Sequence, residues 1–129
     1  MILLDTHALI WLSNDPRQLS ADAVEAIRKS ENAGGLGISS ITLWELAWLA
    51  SHGRLDVLGT VDAFVRRISS RTSIRPITVE IAVLASQFPE NYPGDPCDRL
   101  IGATALAEGV SLVTKDRGIR SYKRIRTIW

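Results

Sequence analysis

The chain has 129 residues, 46% hydrophobic and 22% charged, with nine glycines and five prolines, a balance that suits one compact domain, 1–129, and excludes a fibre or linker. Its 15 basic and 14 acidic residues leave a formal charge of +1, too near zero to mark a nucleic-acid binder by totals alone. The single Cys97 suits a reducing cytoplasm, and no apolar run reaches the roughly 18 residues of a membrane span, so neither a secreted disulfide scaffold nor a membrane protein is expected.

In chain order, Met1 to Leu4 reads as a buried strand ending at Asp5, followed by a short helix through Ala8 to Leu12. Ser20 is placed to cap a helix with Val24 and Ile27 on one face, stopped by Gly34 and Gly35. Leu36 to Ser39 reads as a second strand. Ile41 to Ala50, apolar but for Thr42 and Glu45, predicts a deeply buried helix ending near Gly53. A helix with Phe64, Val65 and Ile68 follows Thr60, then a strand over 74–78 and a helix through Val79 to Leu84. The run from Pro89 to Pro96 is a loop, with Asp95 as N-cap and Pro96 opening a helix to Glu108. A strand over 110–114 and a last short strand near Ile125 to Trp129 complete an alternation that implies a parallel sheet with helices on both faces.

Four carboxylates stand in places where solvent-facing charge is not expected. Asp5 ends a strand; Glu45 is the only charge in its apolar helix; Asp98 shares a helix face with Ile101 and Ala105; Asp116 follows a strand. Strand ends and first helical turns meet at the carboxyl edge of a parallel sheet, where ligands bind. Burying one carboxylate costs several kcal/mol unless it is paired, and a cluster of four calls for cations or raised pKa values. Oxygen-only ligands indicate Mg²⁺, with Mn²⁺ as the alternative, and metal-assisted phosphoester hydrolysis as the reaction class. Each acid also has a plainer reading. Thr42 and Glu45 have the spacing of a capping box, Asp98 suits a helix dipole, and Asp5 and Asp116 suit turns at strand ends.

The stretches LLDTHALIWL (3–12), SSITLWELAWLASHGRL (39–55), DPCDRLIGATALAEGVSLVTKD (95–116) and the terminal RTIW resemble the PIN-domain ribonucleases, specifically the VapC toxins of toxin–antitoxin pairs, in the family's order and spacing. The resemblance implies a three-layer PIN-like α/β fold, Mg²⁺-dependent endonucleolytic cleavage of RNA, inhibition by a small cognate antitoxin, and a homodimer. Asp5, Glu45, Asp98 and Asp116 match the family's acidic quartet; Asp5 and Asp98 are expected to ligate metal directly, and Glu45 and Asp116 directly or through water. Trp48 and Leu49 depart from the pattern, standing where a basic residue often follows the glutamate. The alternative is a PIN scaffold that binds RNA or protein without turnover. A metal-dependent phosphatase on another α/β scaffold is disfavoured because Thr6-His7 follows Asp5, with no aspartate two residues on.

Thr6 and Thr114 are candidates for orienting the carboxylates, with local backbone bonding as the plainer role. Arg99 is expected to touch phosphate or to form a surface ion pair. Cys97, at a helix start, has the position of a low-pKa thiol but reads better as packing; His7 and His52 lack metal-ligand spacing. Removing the quartet leaves ten acids against 15 basic residues, and Lys115 to Arg126 carries six cations against Asp116 alone, making it the leading phosphate-binding segment. Four tryptophans, Trp11, Trp44, Trp48 and Trp129, offer more apolar surface than a small core readily absorbs, so part of it is expected to meet another subunit or the antitoxin.

Overall fold

The computed structural model describes residues 1–129. Short β-branched and leucine-rich runs form five strands: β1 (Ile2–Leu4), β2 (Leu36–Ser39), β3 (Thr72–Arg75), β4 (Leu112–Val113) and β5 (Thr127–Ile128). All pair in parallel, in the order β3-β2-β1-β4-β5. Between them run α1 (Thr6–Asn14), α2 (Ala21–Asn32), α3 (Ser40–Ser51), α4 (Val61–Ser69), α5 (Val79–Ser86), α6 (Pro96–Glu108) and α7 (Arg117–Ser121). A short 3₁₀ turn, Pro16–Gln18, links α1 to α2.

Alternation along β1 divides the core. Ile2 and Leu4 pack with residues of α1, α2 and α4 on one face, including Leu9, Ile27 and Phe64. Leu3 points the other way, into a cluster with Ile81 of α5, Ile101 and Ala105 of α6, and Ile119 of α7. The molecule is therefore the expected α/β fold of three layers, with a central parallel sheet flanked by helices.

Four details differ from expectation. β3 lies two residues earlier than 74–78 because Pro76 lacks the N–H that a continued ladder needs. β4 is confined to Leu112 and Val113, although ladder bonds continue beside it from Leu3 N to Ser111 O and from Thr114 N to Ile128 O. In α2 the buried face is Ala23, Ile27 and Ser30, and Val24 is turned to solvent. α3 is not deeply buried: only Thr42 and Leu46 are enclosed, while Trp44 and Trp48 are 56% and 38% exposed.

Tyr92 ties α6 to the loop before it. Its ring is buried against Phe88 and Tyr122, and its hydroxyl donates to the carbonyl of Asp98 at 2.9 Å. This contact requires Gly102, because a Cβ there would collide with the Tyr92 hydroxyl and lie 3.1 Å from Ile125. Gly102→Ala is therefore expected to lower stability by about 1–3 kcal/mol in urea unfolding. The double variant Gly102→Ala/Tyr92→Phe should recover part of that loss. A change in the single variant below about 0.5 kcal/mol would mean that Tyr92 yields freely.

Candidate active site

At the carboxyl edge three of the five strands, β1, β2 and β4, hand the chain to a helix through a polar N-cap. Asp5 follows β1 and accepts from Ala8 N at 2.8 Å; Ser39 ends β2 and accepts from Ile41 N at 3.3 Å; Asp116 follows β4 and accepts from Ile119 N at 2.9 Å. Asp95 caps α6 in the same way, accepting from Cys97 N and Asp98 N at 2.7 and 3.2 Å. The four helix N-termini thus open toward the carboxyl edge, where their unpaired amides favour anionic side chains.

Asp5, Glu45, Asp98 and Asp116 line one cleft of about 350 Å³, together with Asp95, His7, Trp11 and Lys115. For Asp5 and Asp116, capping and the cleft are not competing roles. Each takes its helix amide on Oδ1, and Oδ2 of Asp116 makes no hydrogen bond within the chain. The capping-box reading of Glu45 is wrong: α3 begins at Ser40, Thr42 is already inside its first turn, and the cap is Ser39.

The Glu45 carboxylate instead accepts from the Thr6 hydroxyl, Oγ1 to Oε1 at 2.5 Å. Thr6 Oγ1 is also 3.1 Å from Thr42 Oγ1. Both threonines are buried. Because the single Thr6 proton goes to the carboxylate, Thr42 must be the donor to Thr6. The relay Thr42 to Thr6 to Glu45 fixes the carboxylate across the gap between α1 and α3. On the other side, Thr114 is fully buried and accepts from Asp116 N at 3.1 Å, and its hydroxyl acts to lower the Asp5 pKa. The two threonines singled out in the sequence therefore each hold an acid, and Thr42 is a third that its own sequence position does not reveal.

The electrostatics are those of uncompensated negative charge. Burial pushes Asp98 up to about 7, with Asp95, Asp116, Glu45 and Asp5 adding to the rise. Burial also raises Asp5, with Glu45 adding a little, against the Thr114 hydroxyl, the Ala8 amide and His7. Cys97 is driven up to about 12 by burial and then by Glu45, Asp95 and Asp98. It is a packed thiol, and the low-pKa possibility is excluded.

Two other candidates, Arg99 and His52, fall outside the cleft. Arg99 neither faces it nor forms an ion pair; its guanidinium donates to the carbonyls of Ala85 and Phe88 at 3.3 and 3.4 Å, closing the end of α5, and sits 6.0 Å from the Tyr92 ring. His52 stacks on Trp48 at 4.1 Å and reaches the Trp48 carbonyl. His7 does reach the cleft wall beside Trp11, which sequence spacing did not show. Lys115 brings an ammonium to the same wall, 5.7 Å from the Trp11 ring.

The donors suit a hard divalent cation: five carboxylates, no cysteine and a single histidine. They are not drawn into a tight cage, and no three acidic, histidine or cysteine side chains are close enough to grip an ion as they stand. A hard cation that keeps several waters needs only one or two carboxylates from the protein.

The family model of the PIN domain matches residues 2–125. The chain belongs to the PIN-domain family. It is 40% identical over 130 residues to Ribonuclease VapC22 of Mycobacterium tuberculosis (strain ATCC 25618 / H37Rv), covering 99% of this chain and 98% of that protein, which sets it among the VapC-type members. In fold it resembles VapBC2 of Rickettsia felis, solved with a promoter DNA fragment, at a TM-score of 0.75 and 18% identity over 98% of this chain and 97% of that one. It also resembles DNA-bound VapBC of Salmonella typhimurium, at 0.70 and 24% over 98% and 97%.

A carboxyl whose folded pKa lies above its unfolded value binds its proton more tightly when folded. The stability Asp98 contributes in this way is complete below pH 3.8 and lost as pH rises through about 7. In chelator, Asp98→Asn should therefore melt higher than wild type at pH 8, by the equivalent of about 1 kcal/mol after solvent screening at the cleft mouth. The difference should shrink toward pH 4. A constant difference, or a variant less stable at pH 8, would show that Asp98 is held by structural bonds instead.

Proposed function

We propose that this protein is a Mg²⁺-dependent endoribonuclease, with Mn²⁺ as a substitute, and the toxin of a toxin–antitoxin pair. The carrying observation is that four acids from segments more than a hundred residues apart in the chain meet in one cleft with too little positive charge to balance them. The relative named a ribonuclease, alike over nearly its whole length, supports RNA as the substrate.

In this reading Asp5 and Asp98 hold the metal directly, and Glu45 and Asp116 complete its site directly or through water. The metal would supply charge neutralisation at the scissile phosphate and acidify the attacking water. The chain's own residues do the rest. Thr6 keeps Glu45 from turning away, Thr114 anchors the Asp116 amide, and the Asp116 cap pins one carboxylate oxygen so that the other faces the cleft. Lys115 stands at the wall where a phosphate oxygen would need a donor. No histidine in general-base geometry is required, and the products expected are a 5′-phosphate and a 3′-hydroxyl.

The antitoxin partner follows from the same charge imbalance. An Arg or Lys inserted among the carboxylates would replace the metal's charge and silence the site. The exposed indoles of Trp44 and Trp48 supply apolar area beside it for an amphipathic segment. A homodimer, the state the family resemblance implies, belongs to the same proposal and is read by sedimentation of the antitoxin-free protein.

Purified antitoxin-free protein should cut RNA with Mg²⁺ and not in chelator. Asp5→Asn and Asp98→Asn should each reduce the rate by at least about 10³-fold while remaining folded. Wild-type rates in both variants at limiting metal would overturn the site.

Thr6→Val keeps the volume and removes the proton donated to Glu45. It is expected to lower activity about 10–100-fold and to raise the Mg²⁺ concentration needed for half-maximal rate, whereas Thr6→Ser should restore both. Equal defects in Val and Ser would point to packing rather than to the hydrogen bond.

A further inference from the structure

Fifteen basic residues are distributed unevenly in their pairing. Every ion pair in the molecule uses Arg17, Arg28, Lys29, Arg66, Arg71 or Arg75. None of the six cations from Lys115 to Arg126 has an acidic partner within salt-bridge distance. They do not all face one way. Lys115 belongs to the acid cleft, and Arg126 turns back to donate to the Gly109 carbonyl at 2.7 Å. Of the four that remain, Arg124 lies outside the group, and Arg117, Arg120 and Lys123 stand together, with Lys123 Nζ donating once to the Arg120 carbonyl at 3.3 Å. With Ser121 and Thr127 they line a separate depression of about 300 Å³ between α7 and β5 that has no apolar side chain in its wall.

This basic depression and the acid cleft share a stretch of chain. Asp116 lines one and Arg117 the other, and consecutive Cα atoms lie about 3.8 Å apart. Its platform is also rigid. Asp116 caps α7, Ile119 is 1% exposed in the core, and Gly118 packs so closely that an added Cβ would lie 2.8 Å from Pro93 and 3.1 Å from Asp116 Oδ1. Three cations are therefore presented in a fixed arrangement rather than on a mobile tail.

We infer that Arg117, Arg120 and Lys123 form a docking surface for the phosphate backbone of single-stranded RNA, gripping the strand next to the nucleotide that enters the acid cleft. The inference rests on the ribonuclease reading of that cleft and adds where the strand runs. A wall of cations and hydroxyls with no apolar residue is the lining of a backbone-binding surface. A protein partner would be expected to bury aromatic or aliphatic side chains at the centre of its contact, and this depression offers none. Adjacency supplies the functional reason. The acid cleft by itself repels a polyanion, and unpaired cations at its border supply the attraction that brings the strand to it.

The test uses Arg117→Ala/Arg120→Ala/Lys123→Ala in two backgrounds. In the first, Asp98→Asn prevents cutting, and binding of a labelled single-stranded oligoribonucleotide long enough to span both depressions is titrated over a series of KCl concentrations. Loss of three phosphate contacts should reduce the slope of log affinity against log salt by about 2 and weaken binding at least about tenfold at low salt. In the second, the otherwise wild-type enzyme should show a raised KM and an unchanged kcat on the long RNA. Its cleavage of a dinucleotide-length substrate, too short to occupy both depressions at once, should stay within about twofold of wild type.

An unchanged salt slope overturns the inference. So does an equal loss on long and short substrates, which would mean that α7 acts on the cleft itself. Polyglutamate of matched charge is the competitor control: if it depends on the three cations and RNA does not, the surface takes an acidic protein segment instead. The two readings fail separately. Wild type that binds RNA with the full slope yet cuts nothing refutes the nuclease and leaves the docking surface. Cleavage that survives with the slope unaltered in the triple variant refutes the docking surface and leaves the nuclease.

Discussion

In a parallel sheet every strand ends on the same edge, and here three of them pass directly into helices whose first amides need acceptors. Short polar side chains must therefore stand at that edge for structural reasons alone. Asp5, Ser39 and Asp116 meet that demand. The chemistry of the cleft is built on this requirement, because a capping aspartate uses one oxygen for its helix and has a second to turn outward. Asp98 and Glu45 then need only be placed on the first turn of α6 and the second turn of α3 to complete the group.

What keeps the group from dispersing is a set of hydroxyls rather than counter-charges. Thr6, Thr42 and Thr114 are all nearly or fully buried, and each spends its hydrogen-bonding capacity on a carboxylate or on the residue that holds one. Neutral donors fix orientation without cancelling charge. An arginine in their place would have lowered the carboxyl pKa values and occupied the space of the cation. The consequence is visible at Asp98, which has no such donor on its side chain and is raised to about 7, with burial first and the neighbouring acids behind it.

Much of this was legible in the chain as written. Strand and helix alternation, the four acids and the two threonines beside them can be read because apolar periodicity and isolated charge are local signals. The misreadings came where a local signal has two physical solutions. Thr42 and Glu45 have capping-box spacing, but which residue begins α3 depends on where β2 ends, a property of the sheet. Val24 and Ile27 share a helical face in projection, and docking of α2 on β1 and β2 chose Ala23 with Ile27 instead. Trp44 and Trp48 sit in an apolar run that predicts burial, yet a helix that borders the cleft packs only one narrow side. Gly102, Gly118 and Tyr92 gave no sequence signal at all, since a close approach between distant segments leaves no trace in composition.

The placement of charge around Asp116 joins these threads. Lys115, Asp116 and Arg117 are consecutive, and the turn into α7 sends them to different surfaces: Lys115 and Asp116 to the acid cleft, Arg117 to the basic depression. Consecutive side chains diverge, unlike Glu25 and Arg28, which stand three apart and pair on α2. Here Asp116 gives Oδ1 to the α7 amide and Lys115 lies over the Trp11 ring. Trp11 in turn packs on Trp129 at 5.7 Å, so the cleft wall is anchored by the residue that follows β5. Keeping neighbouring charges unpaired forgoes little, since exposed ion pairs are worth about 0–1 kcal/mol. It leaves an anionic lining and a cationic lining on either side of one turn, the two signs of charge that the proposed metal ion and the proposed RNA backbone would each require.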